Sequence, residues 1–343
     1  LTKKEPFFPK DTNYFTLPFL GSSIAFVIVL ELAIIIFFGV LSRPGTFLTL
    51  DNFMNILLNS SQMVILAIGL TFVIASGHMD LSVGMTLILT SIIGAKVFKA
   101  VASTPELLAV GEYPHLGAGI ICGIGAALIC GALNAFTTSK LKLVPFIATL
   151  ASMYIFQGTA MVICNGAQEK NLPRIFQTYF GHRRLFGIVP YQAILAIVLG
   201  VIFAFIMKYT KFGLHTRAIG SNRESARRAG IKVELTCFKI YMLMGALAGV
   251  AGCFDVARYS TTNPSGHVSD SMMAIMAAVM GGTSMKGGIA SVTGTMLAVL
   301  IPVSLQAGMI ILGMNSYIQL IVTGLFLILA VYVDYVRNLK PKI

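Results

Sequence analysis

The 343-residue chain is 56% hydrophobic and only 11% charged, against about 25% charged in an average soluble domain, and its mean hydropathy is +0.85. These values exclude a large water-facing domain and mark an integral membrane protein. The formal net charge of +12 does not indicate nucleic acid, because the basic residues sit between apolar runs rather than along one amphipathic face or among stacking aromatics.

A membrane-spanning helix needs about 20 apolar residues. Runs of that kind fall near 18–40, 53–76, 80–98, 116–138, 145–164, 189–208, 236–257, 268–283, 289–312 and 316–336, predicting an all-α chain of about ten spans. The third and eighth are short or interrupted by glycine. The first is too long for a signal-peptide core and is followed by many like it, so it reads as a retained span. With residues 1–17 placed in the cytoplasm, 17 of the 25 Lys and Arg residues lie on that side. The positive-inside rule then puts both termini and the polar segment 209–235 there as well. Gly119 with Gly123, and Gly245 with Gly249, form GxxxG pairs expected to let helices pack closely in lipid. The five cysteines form no CxxC pair and lie mostly in apolar runs, so neither a disulfide nor a metal is expected.

The chemistry of the polar residues follows the same order along the chain. Glu31 lies inside the first span, where an ionised carboxylate costs on the order of 2.5–3.5 kcal/mol or more unless paired; structural pairing and a proton relay are both open. Asn59, Ser60, Ser61 and Gln62 form a polar belt in the second span, and Asn134 adds another polar group in the fourth. Interhelical hydrogen bonding and a pathway for a hydroxyl-rich solute both fit them. Asp80, in the turn ASGHMDLSVG, is placed to cap the helix that follows.

The most polar run is HTRAIGSNRESARRAGIKVE, His215 to Glu234. Ser221 followed three residues later by Glu224 forms a capping box, and Gly230 is placed as a helix stop. This predicts a two-turn helix, Asn222 to Ala229, with Glu224 and Arg228 spaced as an i,i+4 pair. Asn222, Ala226 and Ala229 make a small-residue stripe, and Arg223 and Arg227 share another side. Helices below about 12 residues are marginal in water, so this one is expected to need a docking surface. GGTSMKGG, Gly281 to Gly288, lacks the GxxxxGK[ST] pattern of a phosphate loop and reads as a tight turn. No HExxH or Ser/His/Asp grouping is present in the sequence, which argues against an enzyme. Met272, Met276 and Met280, four residues apart, are expected to be core packing.

Several motifs, in order, resemble those of the permease subunits of ribose-, xylose- and galactose-type ABC importers: ASGHMDLSVG, LVPFIATL at Leu143 to Leu150, AIGSNRESARRAGI, DVARYSTTNP and AVMGGTSMKGG. The resemblance runs from the second span to Asp334. It implies a fold of about ten helices akin to the cobalamin-type importer permease, in a bacterial plasma membrane. It also implies a second permease subunit, identical or not, cytoplasmic ABC ATPases that hold ATP and magnesium, and an extracytoplasmic binding protein that delivers a monosaccharide. Under it, Gly220, Ser221, Asn222, Arg223, Glu224, Ala226, Arg227, Ala229 and Gly230 form the ATPase-coupling segment. Asn59, Ser60, Gln62, Asn134, Phe146 and Thr149 become candidates for the translocation path, with Asp80 and Ser82 at the cytoplasmic turn. The chain departs from the pattern at His78, usually glycine, and at Ser271 and Met273, which stand where the family often has an acidic pair. These departures leave room for another small polyol, a signalling sugar or a nucleoside. The alternative from another class is a proton-driven secondary transporter with Glu31 and Asp80 as relay groups.

Overall fold

The computed structural model describes residues 23–103, 113–170, 172 and 176–338; the expected cytoplasmic segment 1–17 lies outside them. Among the described residues there are thirteen α-helices: α1 (Ser23–Leu41), α2 (Leu50–Ala75), α3 (Val83–Ala102), α4 (Tyr113–Ala135), α5 (Pro145–Ile163), α6 (Tyr191–Tyr209), α7 (Lys211–Ser221), α8 (Arg223–Arg228), α9 (Val233–Tyr259), α10 (Asp270–Met280), α11 (Val292–Ala298), α12 (Leu300–Ile311) and α13 (Ser316–Asn338). The ten expected spans map onto α1 to α6, α9, α10, the α11–α12 pair and α13. Eight of these meet the length and apolarity of a membrane span, with α11 and α12 together forming one. The eighth expected span is a short helix of 11 residues, α10. The ninth breaks at Val299, because Pro302 has no N–H to offer the carbonyl four residues back.

Local sequence explains the helix starts. Thr49 caps α2 by accepting from the Asn52 amide at 3.2 Å, Pro145 opens α5 where no N–H is needed, and Ser291 caps α11 by accepting from Gly294 N at 3.1 Å. A two-residue hairpin, Arg184–Leu185 with Val189–Pro190, precedes α6.

The burial pattern is that of a bundle whose solvent is lipid. α2 is the central rod, 83% buried over its span window, whereas α1 is only 17% buried. Ile28, Leu32, Ile36 and Val40 on α1, and Val201 and Phe205 on α6, are exposed as a lipid-facing surface requires. The GxxxG pairs pack as expected. A Cβ at Gly119 would stand 2.8 Å from the Gly94 carbonyl of α3, and one at Gly245 would stand 2.6 Å from the Ala127 carbonyl of α4. Met276 and Met280 are fully buried, while Met272 is 42% exposed, so only part of the methionine ladder is core.

Connections on the two faces of the bundle differ in character. On one face the segment after α2, the end of α7, and the 281–288 turn touch one another. On the other, Glu169 pairs with Lys96 and Lys99 at 3.0 and 3.1 Å and forms a β-bridge to Thr262, while Arg184 reaches Asp51 at 3.1 Å.

Candidate functional site

The α8 face is built from a short charged helix held by its own chain. Asn222, in extended conformation, accepts from the Ser225 amide at 2.8 Å, and Gly230 ends the turn at φ +82. The capping residue is therefore Asn222 rather than Ser221, and the helical core is Arg223–Arg228 rather than Asn222 to Ala229. Ser221 is unavailable because α7 runs through it. Glu224 holds both Arg227 and Arg228 at 3.4 Å, and Arg227 also reaches Glu234. These exposed pairs contribute about a few tenths of a kcal/mol each.

The small-residue stripe is also corrected. Ala226 is buried at 4% exposure among Ile219, Val233 and Cys237, whereas Asn222 and Ala229 are exposed. Ala226 thus seats α8 on its own chain, and the surface left outward is Arg223, Glu224, Ser225, Arg227 and Arg228. Replacing Asn222 by alanine should lower hydrogen-exchange protection of the Ser225 and Ala226 amides by about two- to thirty-fold, the equivalent of about 0.5–2 kcal/mol of lost capping. Asn222→Asp should retain it, and unchanged protection in Asn222→Ala would contradict the cap.

Behind α8 lies a close contact of three backbones. A Cβ on Gly220 would meet the Ala75 carbonyl at 1.9 Å and Gly288 N at 2.6 Å, and one on Gly287 would meet Gly220 O at 2.8 Å. The Gly288 amide donates to Ala75 O at 2.9 Å. Glycine is required at Gly220 because backbone, rather than a yielding side chain, occupies the space. The end of α7 is thereby joined to the end of α2 and to the turn after α10. Phe212 of α7 stacks on Phe72 of α2 at 5.7 Å and strengthens the same joint. Beside it opens a cavity of about 690 Å³ edged by His78, Lys142, Asn222, Arg223, Arg227 and Lys286. Burial pushes the His78 pKa down to about 4, with the Arg223 charge adding to the effect, so this imidazole is neutral at pH 7.

The segment 76–82 passes from that cavity to the start of α3, and the polar residues assigned to a path hold it in place. Asp80, 2% exposed, accepts from Ser82 N at 2.9 Å and Ser82 Oγ at 2.7 Å, so it grips the residue before α3 and does not cap the helix as expected: the N-cap position is Ser82, which makes no side-chain cap bond. Asn134 Nδ2 donates to Ser82 Oγ at 2.7 Å and to Asp80 Oδ2 at 3.4 Å. Thr149 Oγ1 accepts from Leu81 N at 3.2 Å. Ser60 donates back to Ile56 O at 2.8 Å within α2, and Phe146 is 46% exposed on the bundle's outer surface. Glu31 accepts from Ser304 Oγ at 2.6 Å, a hydrogen bond between α1 and α12, while its Oε2 is buried with no hydrogen-bond partner among the described residues.

Of the path candidates, Asn59 and Gln62 do line a cavity. It measures about 410 Å³ and opens toward the opposite end of the bundle from α8, between α2, the end of α9, α10 and α12, with Arg258, His267, Asp270 and Gln306 in its wall. His267 was not singled out by sequence pattern. Its Nε2 lies 3.0 Å from Asp255 Oδ1 and its Nδ1 lies 2.7 Å from Asp270 Oδ2 and 3.3 Å from the Gln62 amide. Burial lowers its pKa, but the hydrogen bonds and charges of Asp255 and Asp270 outweigh that and take it up to about 10. The spacing of three between His267 and Asp270 was visible; the return of residues 260–269 into the bundle, which brings in Asp255 and Gln62, was not. No group of His, Cys, Asp and Glu among the described residues could hold a metal ion.

Residues 52–331 match the family model described as a branched-chain amino acid transport system / permease component. The chain belongs to this permease family. The permease is 35% identical over 317 residues to a ribose import permease of Bacillus subtilis (strain 168), covering 92% of this chain and 91% of the relative. It is 33% identical over 326 residues to the ribose import permease of Escherichia coli (strain K12), covering 94% and 96%. A galactose/methyl galactoside import permease of Haemophilus influenzae is 31% identical over 333 residues, again covering 94% and 96%. No solved structure matches the permease.

Proposed function

We propose that this permease is the membrane-spanning subunit of an ATP-driven importer for a monosaccharide of the ribose, galactose or arabinose kind. The observation that carries the reading is its similarity to sugar import permeases over more than nine-tenths of both chains. In this reading α8 and the segment 209–235 face the cytoplasm of a bacterium and dock a partner ATPase, which holds the ATP and magnesium and performs the hydrolysis. A second permease subunit completes the path along their interface. A binding protein outside the membrane delivers the sugar to the face that carries Asn59 and Gln62. The helices pack in the manner of the cobalamin-type importers, and both termini are cytoplasmic.

The geometry suggests how force would travel. Motion of α8 reaches α2 and the α10 turn through the Gly220 joint, and those two helices carry Gln62 and Asp270 at the opposite cavity. Rigid rods pivoting on such a joint would exchange outward and inward openings. The test is to tag the permease in its native host, purify the ATPase and secreted binding protein that accompany it, and reconstitute all three in proteoliposomes. Uptake of D-ribose, D-galactose or L-arabinose that requires ATP is the expected result. Uptake that ignores ATP and collapses with a protonophore would replace the reading with secondary transport.

A further inference from the structure

The cavity at the Asn59 and Gln62 end has a composition that selects for one kind of solute. Its volume, about 410 Å³, lies within the range of about 300–1,000 Å³ typical of small-molecule sites. Amides from Asn59, Gln62 and Gln306 line it, together with one guanidinium, Arg258, and one partly accessible carboxylate, Asp270. Asp255 is withdrawn behind His267, with its side chain 4% exposed against 15% for Asp270.

His267 fixes the chemistry of this wall. With Asp255 on Nε2 and Asp270 on Nδ1, both ring nitrogens donate, which is the imidazolium form. Two aspartates, one imidazolium and Arg258 sum to no net charge. The Gln62 amide nitrogen lies 3.3 Å from Nδ1, which already gives its proton to Asp270 Oδ2; two donors would face each other there, so we assign the flipped amide, with the oxygen toward the ring and the NH2 toward the cavity. Among the described residues Asp270 Oδ1 has no hydrogen-bond partner, which leaves it as an acceptor. The wall thus presents an acceptor beside amide donors and, having no net charge, offers no net compensation for the desolvation of a charged solute. The His267 backbone is itself locked: its φ is +54, and its carbonyl lies against Gly84, where a Cβ would stand 2.2 Å away.

We propose that Asp270 and Gln62 are the specificity-determining contacts of the solute-receiving site at this end of the permease, that the site takes a neutral polyhydroxylated solute through adjacent hydroxyls, and that His267 is the positioning residue that orients Asp270. The inference rests on the sugar-import reading above and adds the site and the substituents it reads. Adjacent hydroxyls match it because one can donate to Asp270 Oδ1 while its neighbour accepts from Gln62. A solute lacking one of them leaves a buried partner unpaired, the situation in which discrimination is strongest.

The test uses the reconstituted complex with its binding protein saturating, and compares uptake of the transported pentose or hexose with its 2-deoxy and phosphorylated forms. Asp270→Asn and Gln62→Ala are expected to lower uptake about tenfold and to narrow the preference for the parent sugar over its 2-deoxy form. His267→Gln should narrow the same preference, a readout that loss of structure alone would not move. Asn59→Ala serves as a milder second variant should Asp270→Asn fail to fold, and is expected to narrow the preference less. Wild-type complex that moves none of the sugars would remove the sugar-import reading and this proposal together. Wild-type complex that moves sugar, with rate and preference unaltered in Asp270→Asn, Gln62→Ala and His267→Gln, would overturn the proposal and leave that reading standing.

Discussion

Gly220→Val should leave the partner ATPase hydrolysing ATP while sugar uptake falls about tenfold or more. A single Cβ at this position would lie 1.9 Å from Ala75 O and 2.6 Å from Gly288 N, both backbone atoms that no rotamer change can move aside. Overpacking of this kind costs about 1–3 kcal/mol, occasionally more, and here the strain falls on the one place where α7, α2 and the turn after α10 meet. A shift of about 1.4 kcal/mol between two conformations already changes their ratio tenfold. Gly125→Ala is the matched control, since a Cβ there has nothing within 4 Å and sits on α4 facing outward; it should transport as wild type does. Parallel measurement of ATP hydrolysis and uptake separates the outcomes. Normal uptake in Gly220→Val would mean the three backbones do not move as one body, and the route of force from α8 would have to be sought through Ala226 and α9 instead.

How far the joint could be read from sequence depends on what kind of signal each part left. The spans are legible because lipid imposes a length and a composition on them; the eighth expected span is the exception, since α10 has only 11 residues and falls short of span length. α7 was missed: its residues Lys211, His215 and Arg217 break the apolar run, and a window tuned to spans registers the break rather than the amphipathic helix around Phe212, Gly213, Thr216 and Ile219. The cap depends on the same helix, since Ser221 and Asn222 are both competent caps and only the extent of α7 decides between them. The polar belt carries a positional signal of its own. Asn59 and Gln62 are three apart and share a helical face, which is the face on the cavity, while Ser60 and Ser61 donate back to Ile56 O and Leu57 O at 2.8 Å each. Asp255 and His267, by contrast, are neighbours only because residues 260–269 fold back, and no local pattern encodes that.

The second large effect is expected at Asp80. Asp80→Ala should destabilise the permease by about 2–5 kcal/mol, because it strands the buried Ser82 amide and hydroxyl, each unsatisfied buried group costing about 1–3 kcal/mol. Among the described residues no basic side chain forms an ion pair with Asp80; its partners are Ser82 and Asn134, and it holds the Ser82 that precedes α3 rather than the amides of the helix itself. Asp80→Asn keeps Oδ1 as acceptor for both Ser82 groups and should cost about 1 kcal/mol or less. Thermal unfolding of the purified permease in nanodiscs would therefore rank Asp80→Ala well below Asp80→Asn, with the latter near wild type. Thr149→Val removes the acceptor for Leu81 N, one residue along the same extended segment. Once Asp80→Ala has released that segment, the Thr149 bond has less left to hold, so the double variant should lose less than the sum of the two single losses. An additive double variant would show that Asp80 and Thr149 support separate structures. A well-folded Asp80→Asn variant with abolished uptake would show something different again, that the carboxylate itself handles a proton, and would return the permease to the proton-driven class.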